Sequence, residues 1–255
     1  MQHLKVSLIH LKIHSSLNEN LNAAREGIKK AAKNRPQFIA LPEYFSVPNA
    51  MAEFKNAAKI SQETCQTTLK MLSEVSKEFP DIYILGGTVL EEEKGKYYNT
   101  STLWRNGEKL CKYHKRNPIA VEVEAGVSKG DIPVVFKTEH CILGMIVCAD
   151  SFNPSTVKDI VDLGAEFVYL PVAAMGTHPI VKGHPLTEKI AVQNGVYITK
   201  VGNVSSSARG GRSAFITPWG IDQEVTDAIE DSIITTNFDM QKLRDYRSKL
   251  KKTNY

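Results

Sequence analysis

Pro36-Gln37-Phe38-Ile39-Ala40-Leu41-Pro42-Glu43-Tyr44-Phe45 is the stretch from which the fold can be read. Phe38 to Leu41 stand between two prolines with no polar residue among them, the pattern of a short strand buried on both faces. Pro36 stops any helix before it, and Pro42 removes a ladder donor, so the strand ends there. Upstream, Leu4 to Lys12 alternates apolar and polar residues as a first strand. Between the two strands, Leu17, Leu21, Ala24, Ile28 and Ala31 line one face of a helix, and Ser16 followed by Glu19 offers a capping box at its start. Strand, helix and doubly buried strand, in that order, begin a layered α/β domain.

Downstream the same grammar continues. Glu63 to Phe79 predicts a second helix with Leu69, Leu72, Val75 and Phe79 inward, broken by Pro80-Asp81. Ile82 to Val89 predicts a strand interrupted at Gly86-Gly87. Asn106-Gly107 between Tyr98–Trp104 and Lys109–Tyr113 is a strong hairpin signal. Val134–Phe136 and Cys141–Val147 form another strand pair. Helices at Ser155–Leu163 and Lys182–Asn194 then alternate with strands at Phe167–Leu170 and Val196–Val201. Ser213–Thr217 and Ser232–Thr236 are late strands, and Met240–Lys249 is a closing helix. Hairpins mixed with strand-helix units argue for a sandwich, strands inside and helices outside, rather than a barrel. No linker, repeat or low-complexity tract divides the chain, so residues 1–255 are expected to be one domain with a C-terminal helix and tail from about residue 239.

Composition narrows the function classes. With 255 residues, 42% hydrophobic and 24% charged, the chain can bury a core without a metal or disulfide staple, and disordered or fibrous classes are excluded. A net charge of +4 without an aromatic-basic motif gives no case for nucleic acid. The longest apolar runs, Cys141–Ala149 and Phe167–Met175, reach about half of the ~20 residues a membrane span needs. Lys5, His10 and Lys12 break up the first apolar run, so no signal-peptide core is read and a cytoplasmic protein is expected. Cys65, Cys111, Cys141 and Cys148 have no zinc-type spacing and read as reduced thiols. His10 with His14, and His178 with His184, lack the partners of a metal site, so no metal is expected. Gly86-Gly87 and Gly210-Gly211 lack the Lys-Ser/Thr of a phosphate loop. Arg244 to Lys252 reads as the polar face of the last helix and a tail.

Three segments put reactive side chains where strands give way to turns. Glu43 follows the strand 38–41 at its carboxyl end, where α/β sheets build sites; taken alone, it is equally a loop carboxylate facing water. Lys112-Tyr113-His114-Lys115-Arg116 ends the return strand of the hairpin, and such a cationic run on its own suits a solvated edge strand. Cys148 in Gly144-Met145-Ile146-Val147-Cys148-Ala149-Asp150 ends an apolar strand and precedes a helix start, where a helix dipole favours the thiolate; alone it is equally an inert buried cysteine.

Taken together, and in this order, Glu43, Lys115 and Cys148 resemble the carbon-nitrogen hydrolase family, often called the nitrilase superfamily. Gly164-Ala165-Glu166-Phe167-Val168-Tyr169-Leu170-Pro171 is similar to the family segment after the cysteine. Ala191 to Asn203, with Asn194, Val196-Tyr197 and Asn203, and Gly211-Arg212-Ser213 through Pro218-Trp219-Gly220 resemble two further family segments. The resemblance runs from the first strand to about residue 247.

It implies an α/β fold, a four-layer αββα sandwich, in a single carbon-nitrogen hydrolase domain. It implies a thiol amidohydrolase that converts a small-molecule amide to carboxylic acid and ammonia or amine through a thioester on Cys148. Glu43 is then general base and acid, and Lys115 stabilises the oxyanion. No metal or organic cofactor is required. A supporting second glutamate is expected at Glu122, with Glu124 also open, because alternation on an extended segment turns both to one side. Ala149 and His178 are expected to line the substrate pocket. Members that grip a substrate α-carboxylate commonly carry Arg two to four residues after the cysteine; here Asp150, Ser151 and Phe152 occupy those positions. Nitrilases usually have Trp-Glu directly after it, where this chain has Ala149-Asp150. Both departures lean toward a neutral or small amide, although Arg116, Arg209 or Arg212 offers charge from elsewhere. The alternatives are a nitrilase or N-carbamoyl hydrolase with the same triad, or, from another class, a non-catalytic ligand- or partner-binding member. A homodimer or larger homo-oligomer is implied, with no nucleic-acid or membrane partner.

Overall fold

The computed structural model describes residues 2–49, 55–173, 183–205, 212–225 and 229–253. The segment 38–41 lies at the heart of the first sheet. Its strand β2 (Phe38–Ala40) runs parallel between β1 (His3–Lys12) and β3 (Tyr83–Glu93), followed outward by β4 (Lys96–Arg105) and β5 (Glu108–His114) at the edge. On the far side of β1 lie two strands from late in the chain. β13 (Ser232–Asp239) pairs antiparallel with it from His3↔Asp239 to His10↔Ser232, and β10 (Asn203–Val204) takes over parallel at Leu11 and Lys12. The second sheet, in spatial order, is β12 (Gly220–Val225), β11 (Ser213–Thr217), β9 (Tyr197–Val201), β8 (Phe167–Pro171), β7 (Ile142–Met145) and β6 (Val134–Lys137).

The two sheets pack face to face. Leu4, Val6, Leu8, Phe38 and Leu85 of the first form one buried cluster with Leu143, Met145, Phe167, Tyr197 and Phe215 of the second. Phe38 stacks on Tyr83 at 5.0 Å between centroids and meets Phe167 across the layer at 5.4 Å. The outer faces carry helices. On the first sheet, α1 (Leu17–Ala32) and α2 (Ala57–Glu78) bury Leu21, Ala24, Ile28, Leu72 and Val75 against Ile9, Ile39 and Ile84. On the second, α4 (Pro154–Asp162) and α5 (Pro185–Asn194) bury Val157, Ile160, Ile190 and Ala191 against Val168, Leu170 and Ile198. Each large aliphatic side chain removed from water in this way contributes about 1.5–3 kcal/mol. The result is the αββα order, closed by α6 (Met240–Thr253), with the five-residue helix α3 (Ala120–Glu124) beside the edge of the first sheet. No helix among the described residues is long and apolar enough to cross a membrane.

Local chemistry accounts for most boundaries. Ser16 caps α1, accepting from Glu19 N at 3.2 Å and donating to Glu19 Oε2 at 2.7 Å. The Asn106-Gly107 turn has both residues at positive φ, +48° and +84°, the geometry of a two-residue hairpin. Gly86-Gly87 does not interrupt β3: the strand runs on to Glu93 through a register shift between Leu85 and Thr88, with Gly87 at φ +61°. Helix α2 starts at Ala57, well before Glu63, because Asn56 caps it by accepting from Lys59 N at 2.9 Å. Strands β10 and β12 and helix α3 are additions to the sequence reading.

Candidate active site

Glu43 leaves the carboxyl end of β2 in a turn held from both sheets. Asn203 Nδ2 donates to its carbonyl at 2.7 Å, and the next amide, Tyr44 N, donates to Thr88 Oγ1 at 3.0 Å. Tyr169 of the second sheet donates its hydroxyl to Leu41 O and accepts from Gly87 N at 2.9 Å. Glu43 is therefore a buried, fixed carboxylate rather than a loop charge facing water.

The cationic run divides as the chain leaves β5. Lys112 reaches Glu91 and Glu93 at 3.0 and 2.7 Å, His114 stacks on Tyr98 at 4.2 Å, and Arg116 pairs with Asp159 at 2.7 Å, as an edge strand's surface charges do. Lys115 turns inward instead and is 1% exposed. Its ammonium donates to Glu43 Oε1 at 2.9 Å and to Glu122 Oε2 at 2.7 Å.

The segment carrying the second glutamate is helix α3, not extended chain, and that correction separates the two candidates. Residues two apart on a helix point about 200° from each other. Glu122 is buried, whereas Glu124 is exposed. Every oxygen of Glu122 is occupied: Oε1 accepts from Tyr44 Oη at 2.7 Å and Asn99 Nδ2 at 2.8 Å, and Oε2 from Lys115 and from Ile119 N at 2.9 Å. Glu43 differs. Its Oε1 takes Lys115 and Asn99 Nδ2 (2.8 Å), while Oε2 has no N–H or O–H donor among the described residues.

Cys148 supplies the third side, from the second sheet. It follows β7 and opens a 3-10 turn, Cys148–Phe152, ahead of α4, with a left-handed backbone at φ +44°. A non-glycine residue there costs about 1–2 kcal/mol, so its surroundings must hold it in place. Asp150 does this. Oδ2 accepts from Val147 N at 2.9 Å and Tyr113 Oη at 2.7 Å, and Oδ1 from Arg116 N, Asn117 N and Asn117 Nδ2 at 3.1, 2.7 and 2.9 Å. One buried carboxylate thereby ties the cysteine turn to the chain on both sides of Lys115.

The thiol is hydrogen-bonded with the Glu43 carboxylate and receives the Ala173 N–H. Burial, then the charge of Glu43, push its pKa up to about 12 despite Lys115 and the Ala173 amide. The thiolate bias expected from a helix start is therefore outweighed: the turn is too short to carry much dipole, and enclosure of the sulfur dominates. Burial also raises the Glu43 carboxyl, with Lys115 opposing and Glu122 adding to the rise. Burial works against Glu122 as well, but Lys115 and its other donors hold it below the ordinary carboxylate range. Lys115 is raised: the charges of Glu43, Cys148 and Glu122 overcome its burial, so it stays protonated. The set thus contains one ionised pair, Lys115 with Glu122, beside a carboxyl and a thiol between which a proton can move.

Ala149 is buried directly after Cys148. His178 and Arg209 lie outside the described residues. Arg116 is engaged by Asp159, and Arg212 lies 3.5 Å from Glu224. All four cysteines are free thiols. Glu91, Glu93 and His114 bring three ligand-type atoms within 4.8 Å, but Lys112 and Lys109 already neutralise those carboxylates. Asn99, Tyr44 and Asp150 were not anticipated from the sequence. Tyr44 and Asp150 adjoin the catalytic candidates, whereas Asn99 had no local signal.

The carbon-nitrogen hydrolase profile matches residues 5–248. The chain belongs to the carbon-nitrogen hydrolase family. This hydrolase is 29% identical over 265 aligned residues to the mouse omega-amidase NIT2, covering 98% of this chain and 94% of that one. It superposes on Saccharomyces cerevisiae Nit3, a member of branch 10 of the nitrilase superfamily, with TM-score 0.83 and 26% identity over 97% of this chain and 94% of that one. An amidase from Nesterenkonia shares the fold at TM-score 0.81 and 20% identity, over 100% of this chain and 97% of that one.

Proposed function

We propose that this chain is a thiol amidohydrolase whose nucleophile is Cys148, with Glu43 moving protons, Lys115 stabilising the oxyanion and Glu122 holding Lys115. The observation that carries the reading is the buried lysine between two carboxylates, one fully satisfied and the other with a free oxygen and a thiol beside it. The omega-amidase name of the mouse relative supports an amide substrate. A structure of the Nesterenkonia amidase with the acetamide moiety of fluoroacetamide on its active-site cysteine fits the same chemistry.

The steps balance as follows. Glu43 takes the proton of Cys148 as sulfur adds to the amide carbonyl, because a thiol with a pKa of about 12 is not ionised beforehand. The carbonyl electron pair moves to oxygen, where the Lys115 ammonium stabilises it by a few kcal/mol. Glu43 returns the proton to nitrogen, the C–N bond breaks, and ammonia or amine leaves a thioester on Cys148. Water, deprotonated by Glu43, adds to the thioester. The sulfur leaves, regains its proton, and carboxylic acid is released. Nitriles and carbamoyl compounds would use the same residues, and the amide is favoured because the named relatives are amidases.

Intact-protein mass spectrometry after mixing with a panel of amides, nitriles and carbamoyl compounds tests the reading. An acyl adduct is expected on the wild type and absent from Cys148→Ala, which keeps its fold and loses turnover. Full activity in Cys148→Ala would sink the mechanism. A cytoplasmic location and a homodimer or larger assembly belong to the same proposal, on the family resemblance. Light scattering at micromolar concentration is expected to show at least a dimer, and a monomer would contradict it.

A further inference from the structure

Lys200 is a cation close to Cys148 for which the proposed mechanism has no use. On β9, Tyr197 and Val201 face the inter-sheet core and Ile198 faces the helices, so alternation turns Lys200 to the helix side with Ile198. It is registered beside Leu170 of β8 and Ala214 of β11. Beyond Leu170 the same chain reaches Ala173, whose amide donates to the Cys148 thiol, and the Lys200 and Cys148 charges act on each other.

Its partner is unusual for a buried ammonium. Lys112, Lys115 and Arg244 each sit on a carboxylate. Lys200 Nζ instead donates to His184 Nδ1 at 3.3 Å, and among the described residues no carboxylate lies within ion-pair distance of it. Burial, then Lys200 and Arg212, push His184 down to about 3, so the ring is neutral with its proton on Nε2. That Nε2 lies 3.2 Å from Glu224 Oε2, close but too poorly aligned for a hydrogen bond. Glu224 also faces Arg212 at 3.5 Å, so one carboxylate serves this corner while Lys200 rests on an imidazole lone pair. Burial, then Arg212, lower Lys200 to about 8, the signature of a buried cation without a counter-ion. An anionic ligand would supply that charge, and neither Arg116 nor a residue at 150–152 does so.

We propose that Lys200 is a specificity-determining residue, binding a carboxylate at the far end of a short amide whose carbonyl lies on Cys148. This rests on the amidohydrolase reading and reverses the lean toward neutral amides. The cation that reads the substrate then comes from β9 rather than from the turn after the cysteine.

The test compares kcat/KM of the full-length enzyme for succinamate and for butyramide, four-carbon amides that differ in the terminal carboxylate, at pH 7. The wild type is expected to prefer succinamate by about 30-fold or more, the scale of one charge-assisted hydrogen bond. Lys200→Gln is expected to erase most of that preference through KM, and Lys200→Arg to restore it. A wild type without the preference, or an equal loss on both amides in Lys200→Gln, would overturn the assignment. If the wild type turns over neither compound and no amide leaves an adduct on Cys148, the amidohydrolase reading itself fails, and this inference with it.

Discussion

Lys115→Met is expected to lower kcat/KM by about a thousandfold or more and to cost the fold about 3–5 kcal/mol at pH 7. The side chain is nearly isosteric, so the loss is one of charge. Without the ammonium, Glu43 and Glu122 face each other through Asn99, which donates to both, in a site closed to water. Two such carboxylates do not both stay ionised, and their shared pKa rises. Glu43 is the more strongly raised of the two already, so it takes the proton and can no longer accept one from Cys148.

The pH dependence carries the diagnostic sign. In the wild type the folded Glu122 lies below its unfolded value, so its stabilisation is present above about pH 4.5 and fades as pH falls through the folded value. In the variant both carboxyls are raised above their unfolded values, so acid protonates the folded state first and stabilises it. The stability gap between the two proteins should narrow as the pH drops from about 7 to about 4. Urea denaturation at several pH values reads it. A gap that widens toward acid would show that Lys115 is not the counter-charge.

Asp150→Asn is expected to reduce kcat by about 100-fold and stability by about 3 kcal/mol, although its side chain is not among the groups that move a proton. The carboxylate accepts five hydrogen bonds, two at Oδ2 and three at Oδ1. An amide turns one oxygen into a donor that points at other donors, so at least two bonds are lost in a buried place. Val147 N is freed on one side, or Arg116 N and Asn117 N on the other, and the cysteine turn and the lysine segment uncouple. Because Cys148 is held at φ +44° against its own preference, slackening moves the sulfur away from Glu43. Circular dichroism melts with steady-state kinetics check it. Full kcat with a lowered melting point would limit Asp150 to a structural role.

Much of the architecture was legible because burial imposes local patterns. Phe38 to Leu41 had to be a doubly buried strand, and Asn106-Gly107 had to be a tight hairpin. What failed locally was decided by distant partners. The first turns of α2 looked too polar to be helix, yet Ser61, Thr64 and Thr68 are buried there, with Thr64 and Thr68 bonding back to Ile60 O and Thr64 O. Glu122 could not be separated from Glu124 while the segment was read as extended, because the five-residue helix has no periodic signal of its own. Glu43, Lys115 and Cys148 were each ambiguous alone and became a site through their order and family resemblance. Asn99, Asp150 and Lys200 had no local signal, since each matters through contacts tens of residues away.

The strand that flanks β1 along His3 to His10 comes from residues 232–239, almost the last to be synthesised. Until it arrives, β1 has an open flank, and β2, the strand that presents Glu43, rests on an unfinished neighbour. Pairing of this kind spans most of the chain and forms slowly. A ribosome-bound chain can thus expose Cys148 without owning a working nucleophile, because the proton acceptor is not yet held against it. The enzyme's two ends act as a clasp, and hydrolytic competence is withheld from any molecule that has not fastened it.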